Sequence, residues 1–178
     1  MRLLPRAVAE RPVHLVLGSA SDVAVGRTVL AILEKRDLRS VPVHILSCHR
    51  NPAEVPKFAK EFAGKAVVCL GGMSFQLPAI LDSWFREYDK RVAVFGIPVG
   101  DSPEKLEMAV SAMRDLPSPC EVHWVEDNSN SSISEIAEQV VALLNGKPPV
   151  GVTKTGWKGR VRKHRERKPR FNVSLEEV

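Results

Sequence analysis

Short apolar runs alternate with longer amphipathic runs along most of this chain. The short runs are rich in β-branched residues and extend over residues 13–17, 43–46, 66–70, 91–98 and 121–125. The longer runs place apolar residues three and four positions apart, which is the spacing of one helix face. Strands that alternate with helices in this way form a parallel sheet covered by helices. The pattern therefore predicts a three-layer α/β/α sandwich of the flavodoxin-like or Rossmann-like type.

Capping residues indicate where several helices begin and end. Asn51 precedes Pro52, which suits the first turn of a helix, so a helix is predicted to begin there. Ser102 precedes another predicted helix start, and Asn145-Gly146 has the composition of a helix end. The predicted α/β domain therefore covers residues 1–146, and residues 147–178 form a separate tail.

Composition places the chain among ordinary globular proteins. It has 178 residues, of which 44% are hydrophobic and 26% are charged, enough to build one core without disulfides. No apolar stretch has the roughly 18 residues of a membrane span, and the first residues do not resemble a signal peptide, so a cytoplasmic location is expected. The cysteines, at 48, 69 and 120, form no Cys-x-x-Cys pair, so neither a disulfide framework nor a zinc site is expected.

The positive charge is concentrated in the tail. From Lys147 onward there are ten Lys or Arg and three Glu, a net charge of +7, whereas the remainder has 16 basic and 18 acidic residues, a net charge of −2. Trp157 and Phe171 lie among the basic residues, a composition that also suits a nucleic-acid arm. A solvated extension, or one that packs on another subunit, is the favoured interpretation.

The first predicted strand ends in Gly18-Ser-Ala-Ser-Asp22. This turn offers two hydroxyls, a carboxylate and the backbone N–H groups of a helix start, which suit a phosphate or a ribose. Ser and Asp also cap helices without binding any ligand. The turn alone does not decide between these roles.

The second predicted strand ends in Ser47, Cys48, His49 and Arg50. Arg clamps a phosphate with two donors, and an imidazole gives and takes a proton near neutral pH. Neighbouring residues at a strand end point to opposite faces, so Cys48 is expected to pack in the core, away from His49. Ligands of parallel sheets bind beyond the carboxyl ends of the strands, which makes His49 the leading candidate for chemistry.

The third predicted strand ends in Gly71 and Gly72, which let a ligand or another backbone come close. A plain tight turn would use the same residues. Three further histidines lie within predicted strands, where a structural role is expected: His14, His44 and His123.

Together the strand ends resemble the PurE-type family, which comprises N5-carboxyaminoimidazole ribonucleotide mutases and phosphoribosylaminoimidazole carboxylases of purine biosynthesis. The resemblance covers residues 13–146. The family's Gly-Ser-x-Ser-Asp stands here as Gly18-Ser-Ala-Ser-Asp22, and its Ser-Ala-His-Arg-x-Pro as Ser47-Cys-His-Arg-Asn-Pro52. Its Gly-rich loop with His-Leu-Pro-Gly reads Gly71-Gly-Met-Ser-Phe-Gln-Leu-Pro-Ala79, so Gln76 replaces the histidine of the mutase branch.

The resemblance implies a role for each of these residues. Ser19, Ser21 and Arg50 would hold the 5′-phosphate of a ribonucleotide. Asp22 would bind the ribose hydroxyls, and Ser47 would position the substrate. The residues of the third loop that would lie over the aminoimidazole are Gly72, Gln76 and Leu77.

His49 is the implied general acid and base of a carboxyl transfer between nitrogen and carbon of aminoimidazole ribonucleotide. Such a transfer requires neither a metal nor ATP. Met73 and Phe75 would form an apolar lid that retains carbon dioxide. Arg50 favours the mutase branch, since the carboxylase branch has lysine there.

Two other functions remain open. The nearest alternative is a direct carboxylase that uses carbon dioxide. Gln76 favours a third possibility, a nucleotide-binding protein without turnover. The resemblance also implies a homo-oligomer, an octamer in the family, with no membrane partner.

Overall fold

The computed structural model describes residue 8, residues 10–114, residue 116 and residues 120–147. These residues form one parallel sheet of five strands in the order β2-β1-β3-β4-β5. The strands are β1 Val13–Leu17, β2 Val43–Ile45, β3 Ala66–Gly71, β4 Ala93–Pro98 and β5 His123–Trp124. The basic tail predicted for residues 147–178 lies outside the described residues, apart from Lys147.

Five α-helices follow the strands in turn, and a 3-10 helix, Ala20–Asp22, precedes the first of them. The helices are α1 Val23–Glu34, α2 Glu54–Glu61, α3 Leu77–Glu87, α4 Pro103–Arg114 and α5 Asn130–Leu144. α1 and α5 pack on one face of the sheet, and α2, α3 and α4 pack on the other. The predicted three-layer sandwich is confirmed. Within the described residues, no helix is both long and apolar enough to cross a membrane.

The three central strands are buried along their whole length, which explains why their sequences are apolar apart from His14. Leu15 of β1 and Phe95 of β4 belong to the core under α1 and α5. Val16 and Cys69 face the opposite way, toward α2, α3 and α4. Burying both faces holds these strands in one register, because a slip of one residue would exchange the two faces.

Gly96 of β4 leaves the space that the Met113 side chain of α4 fills. A side chain at this position would bring its Cβ within 2.2 Å of the Met113 sulfur on α4. Glycine removes this conflict, so Met113 packs directly over the strand.

A buried ion pair attaches the last strand to α3. Arg86 Nε donates to Asp82 Oδ2 at 3.0 Å, and the same oxygen accepts the backbone N–H of Glu121 at 3.1 Å. Arg86 also donates to Ser83 Oγ and contacts Cys120 Sγ. Because one carboxylate serves both contacts, α3 holds the chain that enters β5.

The predicted start of the second helix is wrong by two residues. α2 begins at Glu54, whereas Pro52 lies in a turn. Asn51 does not cap the helix, since its side-chain oxygen accepts the backbone N–H of Ser47 at 3.3 Å. The capping residue is therefore used to close the turn that follows β2.

The sheet order reverses at β1, because β2 lies on one side of this strand and β3 on the other. The turns that follow β1 and β3 therefore separate above the sheet. In open parallel sheets this is where a crevice for a ligand forms.

His14 of β1 and His44 of β2 form a stacked pair inside the fold. Their ring centroids are 5.1 Å apart, and His14 Nδ1 lies 2.9 Å from His44 Nε2. Phe62 meets the His14 ring edge-on. Burial, with a smaller contribution from His44, lowers the pKa of His14 from 6.5 to about 4, and burial also lowers the pKa of His44.

This burial makes the fold sensitive to acid. Below pH 6.5 the unfolded chain takes up a proton on His14 that the folded chain accepts only near pH 4, so the free energy of unfolding decreases as pH falls. Between pH 7 and pH 5 we expect His14 to account for a loss of about 2 kcal/mol. Urea unfolding at both pH values measures this loss, and His14→Gln should reduce it. An equal loss in the two proteins would contradict the assignment.

Candidate active site

A cleft of about 610 Å³ lies beyond the carboxyl ends of the first four strands, within the usual size range for a small-molecule site. The turns after β1, β2 and β3 form three of its walls. All the site residues predicted from the sequence line it: Ser19, Ser21, Asp22, Ser47, His49, Arg50, Gly72, Gln76 and Leu77.

The turn after β1 is held by its own side chains. Ser19 Oγ accepts the backbone N–H of Ser21 at 3.3 Å, and Asp22 Oδ2 accepts the backbone N–H of Ser19 at 2.8 Å. These reciprocal bonds form a capping box at the 3-10 helix that begins at Ala20. The Ser19 hydroxyl thus caps the 3-10 helix, a role that the sequence left open. The residues Ser19 and Ser21 also line the cleft.

Asp22 is the buried carboxylate of the cleft, with only 5% of its surface exposed. Its Oδ1 accepts a hydrogen bond from Ser21 Oγ at 3.3 Å. Burial raises the pKa of Asp22, while the bonds from Ser19 and Ser21 and the charge of Arg50 oppose this rise. A carboxylate held in this way is a fixed acceptor for hydroxyl donors of a ligand.

The turn after β2 carries two exposed side chains, His49 and Arg50, that line the cleft. Ser47 is buried, and its Oγ accepts the backbone N–H of Arg50 at 3.2 Å. Arg50 Nη2 donates to the carbonyl oxygen of Gly18, which joins this turn to the end of β1. The guanidinium is exposed and has further donors, so it can also meet an anion in the cleft.

The expectation that Cys48 and His49 point apart is wrong. Cys48 Sγ lies 3.8 Å from His49 Nδ1. Alternation requires an extended strand, but β2 ends at Ile45 and residues 48–50 form a turn. Cys48 is half-buried against the core as expected. Burial raises the pKa of its thiol, so the sulfur stays protonated at neutral pH and is a poor nucleophile.

The turn after β3 contains two glycines in tight surroundings. A Cβ on Gly71 would lie 2.4 Å from the Phe75 ring, and a Cβ on Gly72 would lie 3.0 Å from the Val99 carbonyl oxygen. Phe75 is 4% exposed and belongs to the core, so it forms part of the cleft floor, whereas Met73 is 70% exposed. Of the two side chains expected to form a lid, only Met73 can move over the cleft. Gln76 is exposed beside it, just before α3.

Sequence analysis missed the fourth wall of the cleft. The residues that follow β4 and also line the cleft include Val99, Gly100, Asp101, Lys105 and Met108, and Asn128 joins them from beyond β5. Lys105 Nζ lies 2.7 Å from Asp101 Oδ1. The rule that placed the site at strand ends applies equally to β4, which is followed by Gly100, Asp101 and Ser102, but Ser102 was considered only as a helix cap.

The arrangement suits an anionic ligand that exchanges a proton. Hydroxyls, helix-start N–H groups and a guanidinium meet at the ends of β1 and β2, where they suit a phosphate. The imidazole of His49 lies beside them. Among the residues that the structure describes, no group of three or more His, Cys, Asp or Glu could hold a metal ion.

Gly71 tests how strictly the floor of the cleft is packed. Gly71→Ala should destabilise the protein by about 1–3 kcal/mol, because the new methyl group meets the buried Phe75 ring. Phe75→Leu provides the matched control. In urea unfolding, the double variant should lose less stability than the sum of the single losses, by at least about 0.5 kcal/mol. Strict additivity would show that the two residues do not compete for the same space.

Comparisons with known proteins agree with the motifs at the strand ends. A family model described as AIR carboxylase matches residues 12–149. A probable N5-carboxyaminoimidazole ribonucleotide mutase from Methanobrevibacter smithii is 25% identical over 160 residues, which cover 86% of this chain and 45% of that protein. The chain thus spans about half the length of this curated relative.

Solved structures extend the similarity to the fold. A single-residue variant of PurE2 from Treponema denticola has a TM-score of 0.61 and 17% identity, covering 86% of this chain and 88% of that one. PurE from Treponema denticola has a TM-score of 0.59 and 17% identity, covering 86% and 89%. Because the family model covers well over half of the residues, the resemblance inferred from the motifs is confirmed: this chain belongs to the AIR carboxylase family.

Proposed function

We propose that this protein transfers a carboxyl group on aminoimidazole ribonucleotide in purine biosynthesis, converting N5-carboxyaminoimidazole ribonucleotide to 4-carboxyaminoimidazole ribonucleotide. One observation carries the proposal. A single cleft brings together the hydroxyl-rich turn after β1, the His49-Arg50 pair after β2 and the glycine turn after β3 in a member of the AIR carboxylase family. Arg50 in place of lysine favours this reaction over direct carboxylation by carbon dioxide.

The phosphate is assigned to Ser19, Ser21 and Arg50. The serine hydroxyls belong to a turn already fixed by the capping box, so little conformational freedom is lost when they bind. Arg50 bonds to the Gly18 carbonyl through one nitrogen, which holds its guanidinium near the same turn. A phosphate there receives charge-assisted hydrogen bonds from a planar donor.

The ribose is assigned to Asp22. Both of its oxygens already accept one hydrogen bond from the turn, and each has a second lone pair for a ribose hydroxyl. Ser47 is held by the backbone N–H of Arg50 and positions the substrate next to His49.

The proton transfer is assigned to His49. When the carbamate C–N bond breaks, carbon dioxide departs and the exocyclic nitrogen takes a proton from the imidazolium. The ring carbon then attacks carbon dioxide, the C–C bond forms, and His49 accepts the proton that leaves this carbon. One imidazole serves both steps and is restored at the end. Cys48 lies at Nδ1, so Nε2 is the nitrogen assigned to the substrate.

The apolar floor of the cleft retains the carbon dioxide. Phe75 and Leu77 are buried beneath the cleft, and the exposed Met73 closes over it. An enclosed apolar site limits the entry of water and the loss of the gas. Gln76 holds the substrate through its amide, which donates and accepts hydrogen bonds but does not titrate near neutral pH.

A nucleotide-binding protein without turnover is the second candidate. Gln76 favours it, because this exposed cleft residue stands where the mutase branch has histidine. Incubation with aminoimidazole ribonucleotide and bicarbonate tests direct carboxylation, and incubation with N5-carboxyaminoimidazole ribonucleotide tests the mutase reaction. Binding without turnover in both experiments indicates a binding protein.

We further propose that the protein is a cytoplasmic homo-oligomer. Val43 and Ile45 of the edge strand β2 are 44% and 58% exposed, which supports contact with another subunit. The carboxyl transfer itself needs no metal or ATP.

Arg50→Ala tests the phosphate site. Removal of the guanidinium should weaken ribonucleotide binding by about 1.5–3 kcal/mol, the range for a hydrogen bond to a charged group. Isothermal titration calorimetry measures this loss. Arg39, an exposed residue that is not part of the cleft lining, provides the control variant Arg39→Ala, which should bind as the wild type does. Unchanged affinity in Arg50→Ala would remove Arg50 from the site.

His49→Asn tests the proton carrier. The amide keeps some hydrogen bonding but cannot relay a proton, so turnover should fall by about 10²–10⁴-fold while ligand affinity is largely kept. Gln76→Ala should instead raise KM and leave the pH profile of kcat unchanged. Measuring the rate of carboxyl transfer at several substrate concentrations across pH 5–9 checks the expectations for both variants. Full turnover by His49→Asn would refute the assignment, and an inactive wild type would leave the binding protein as the function.

A further inference from the structure

The fourth wall of the cleft contains a cation that the proposed mechanism does not use. Lys105 lies in the first turn of α4 and lines the same cleft as Arg50. The other lining residues between the end of β4 and Met108 are apolar or glycine, apart from Asp101. The cleft therefore has one positive side chain after β2 and another on α4.

The position of Lys105 is not explained by helix stability. The N-terminus of a helix carries partial positive charge, so acidic residues are favoured there and a lysine is disfavoured. Glu104, the neighbouring residue in the same turn, has the favoured sign. Lys105 adds its charge to the positive end of α4, and its side chain lines the cleft, where it attracts an anion.

The ion pair between Lys105 and Asp101 is weak, so another anion can replace Asp101. Its Nζ lies 2.7 Å from Asp101 Oδ1, and the side chains of Lys105 and Asp101 are 58% and 79% exposed. Exposed pairs of this kind contribute little stability. A carboxylate of a ligand can therefore replace Asp101 as the partner of Lys105 at little cost.

The sheet order sets the distance between the two cations. β2 and β4 are separated by β1 and β3, so three strand spacings, about 14 Å, lie between the ends of β2 and β4, and Arg50 and Lys105 lie in the segments that follow these ends. Both side chains are long and line the cleft. A ligand with an anionic group at each end, one over β1 and β2 and one beyond β3, can meet both cations.

We infer that Lys105 is a specificity residue that binds the carboxylate carried by the aminoimidazole end of the ligand, while Arg50 binds the phosphate at the other end. This inference rests on the proposed function. Lys105 then favours carboxylated ribonucleotides over aminoimidazole ribonucleotide itself, and Asp101 holds the lysine over the cleft until the carboxylate arrives.

Calorimetry with three ligands tests this role: ribose 5-phosphate, aminoimidazole ribonucleotide and 4-carboxyaminoimidazole ribonucleotide. Lys105→Gln should weaken binding of the carboxylated ribonucleotide about tenfold, and it should change binding of the other two ligands by less than about twofold. Lys105→Arg keeps the charge and should retain much of the preference. Lys57→Gln is the matched control, because Lys57 is equally exposed at 58% and paired with Glu54 outside the cleft lining.

The Asp101→Asn variant provides a second test, because it should have the opposite effect on affinity for the carboxylated ribonucleotide. Without its partner, Lys105 is available to the ligand, so binding of the carboxylated ribonucleotide should become tighter. The part of this gain that depends on Lys105 should disappear in the Asp101→Asn, Lys105→Gln double variant. An equal gain with and without Lys105 would attribute the effect to Asp101 alone and would overturn the inference.

The remaining outcomes separate this inference from the proposed function. If the wild type binds both ribonucleotides and Lys105→Gln binds them equally well, the inference is wrong and the proposed function stands. If Lys105→Gln weakens all three ligands alike, Lys105 contacts the phosphate, and the assignment to the carboxylate is wrong. If the wild type binds neither ribonucleotide, the proposed function fails, and the inference fails with it.

Discussion

Three backbone hydrogen bonds just past the strands hold the floor of the cleft. Leu46 N–H donates to Leu17 O at 2.9 Å, Gly18 N–H donates to Leu70 O at 2.7 Å, and a third bond joins the ends of β3 and β4 at 2.9 Å. These bonds continue the hydrogen bonding of the parallel sheet beyond the ends of β1, β2, β3 and β4. Each turn that follows one of these strands therefore begins from a fixed point. Because the order reverses between β1 and β3, these turns separate above the floor and leave room for a ligand.

The side chains around this floor differ in how firmly they are held. Asp22 and Ser47 are buried and bonded to the backbone, so their oxygens are in place before a ligand arrives. His49, Arg50 and Gln76 also line the cleft, but they are exposed and less constrained. A fixed set of acceptors combined with adjustable donors suits a substrate whose phosphate and ribose stay in place while its carboxyl group moves between two atoms.

The sequence could predict the architecture because both faces of β1, β3 and β4 are buried, which leaves short, mainly apolar runs between polar turns. The contrast between apolar strands and polar turns also located three walls of the cleft. It could not reveal the fourth wall, because Lys105 lies in an amphipathic helix where any exposed position is polar. The Cys48–His49 contact was also missed, since β2 ends at Ile45, before these residues. The late start of α2 was missed because the Asn51 side chain bonds back to Ser47 and does not cap the helix.

Gly96 lies beneath the helix that carries the fourth wall of the cleft. The absence of a side chain there lets Met113 pack onto β4, and the same helix carries Lys105 at its other end. A methyl group at position 96 would meet only side-chain atoms, first of all the sulfur of Met113, which can turn aside without movement of the helix backbone. The methionine therefore acts as an adjustable spacer, and the fourth wall can keep its place when the buried strand beneath it changes.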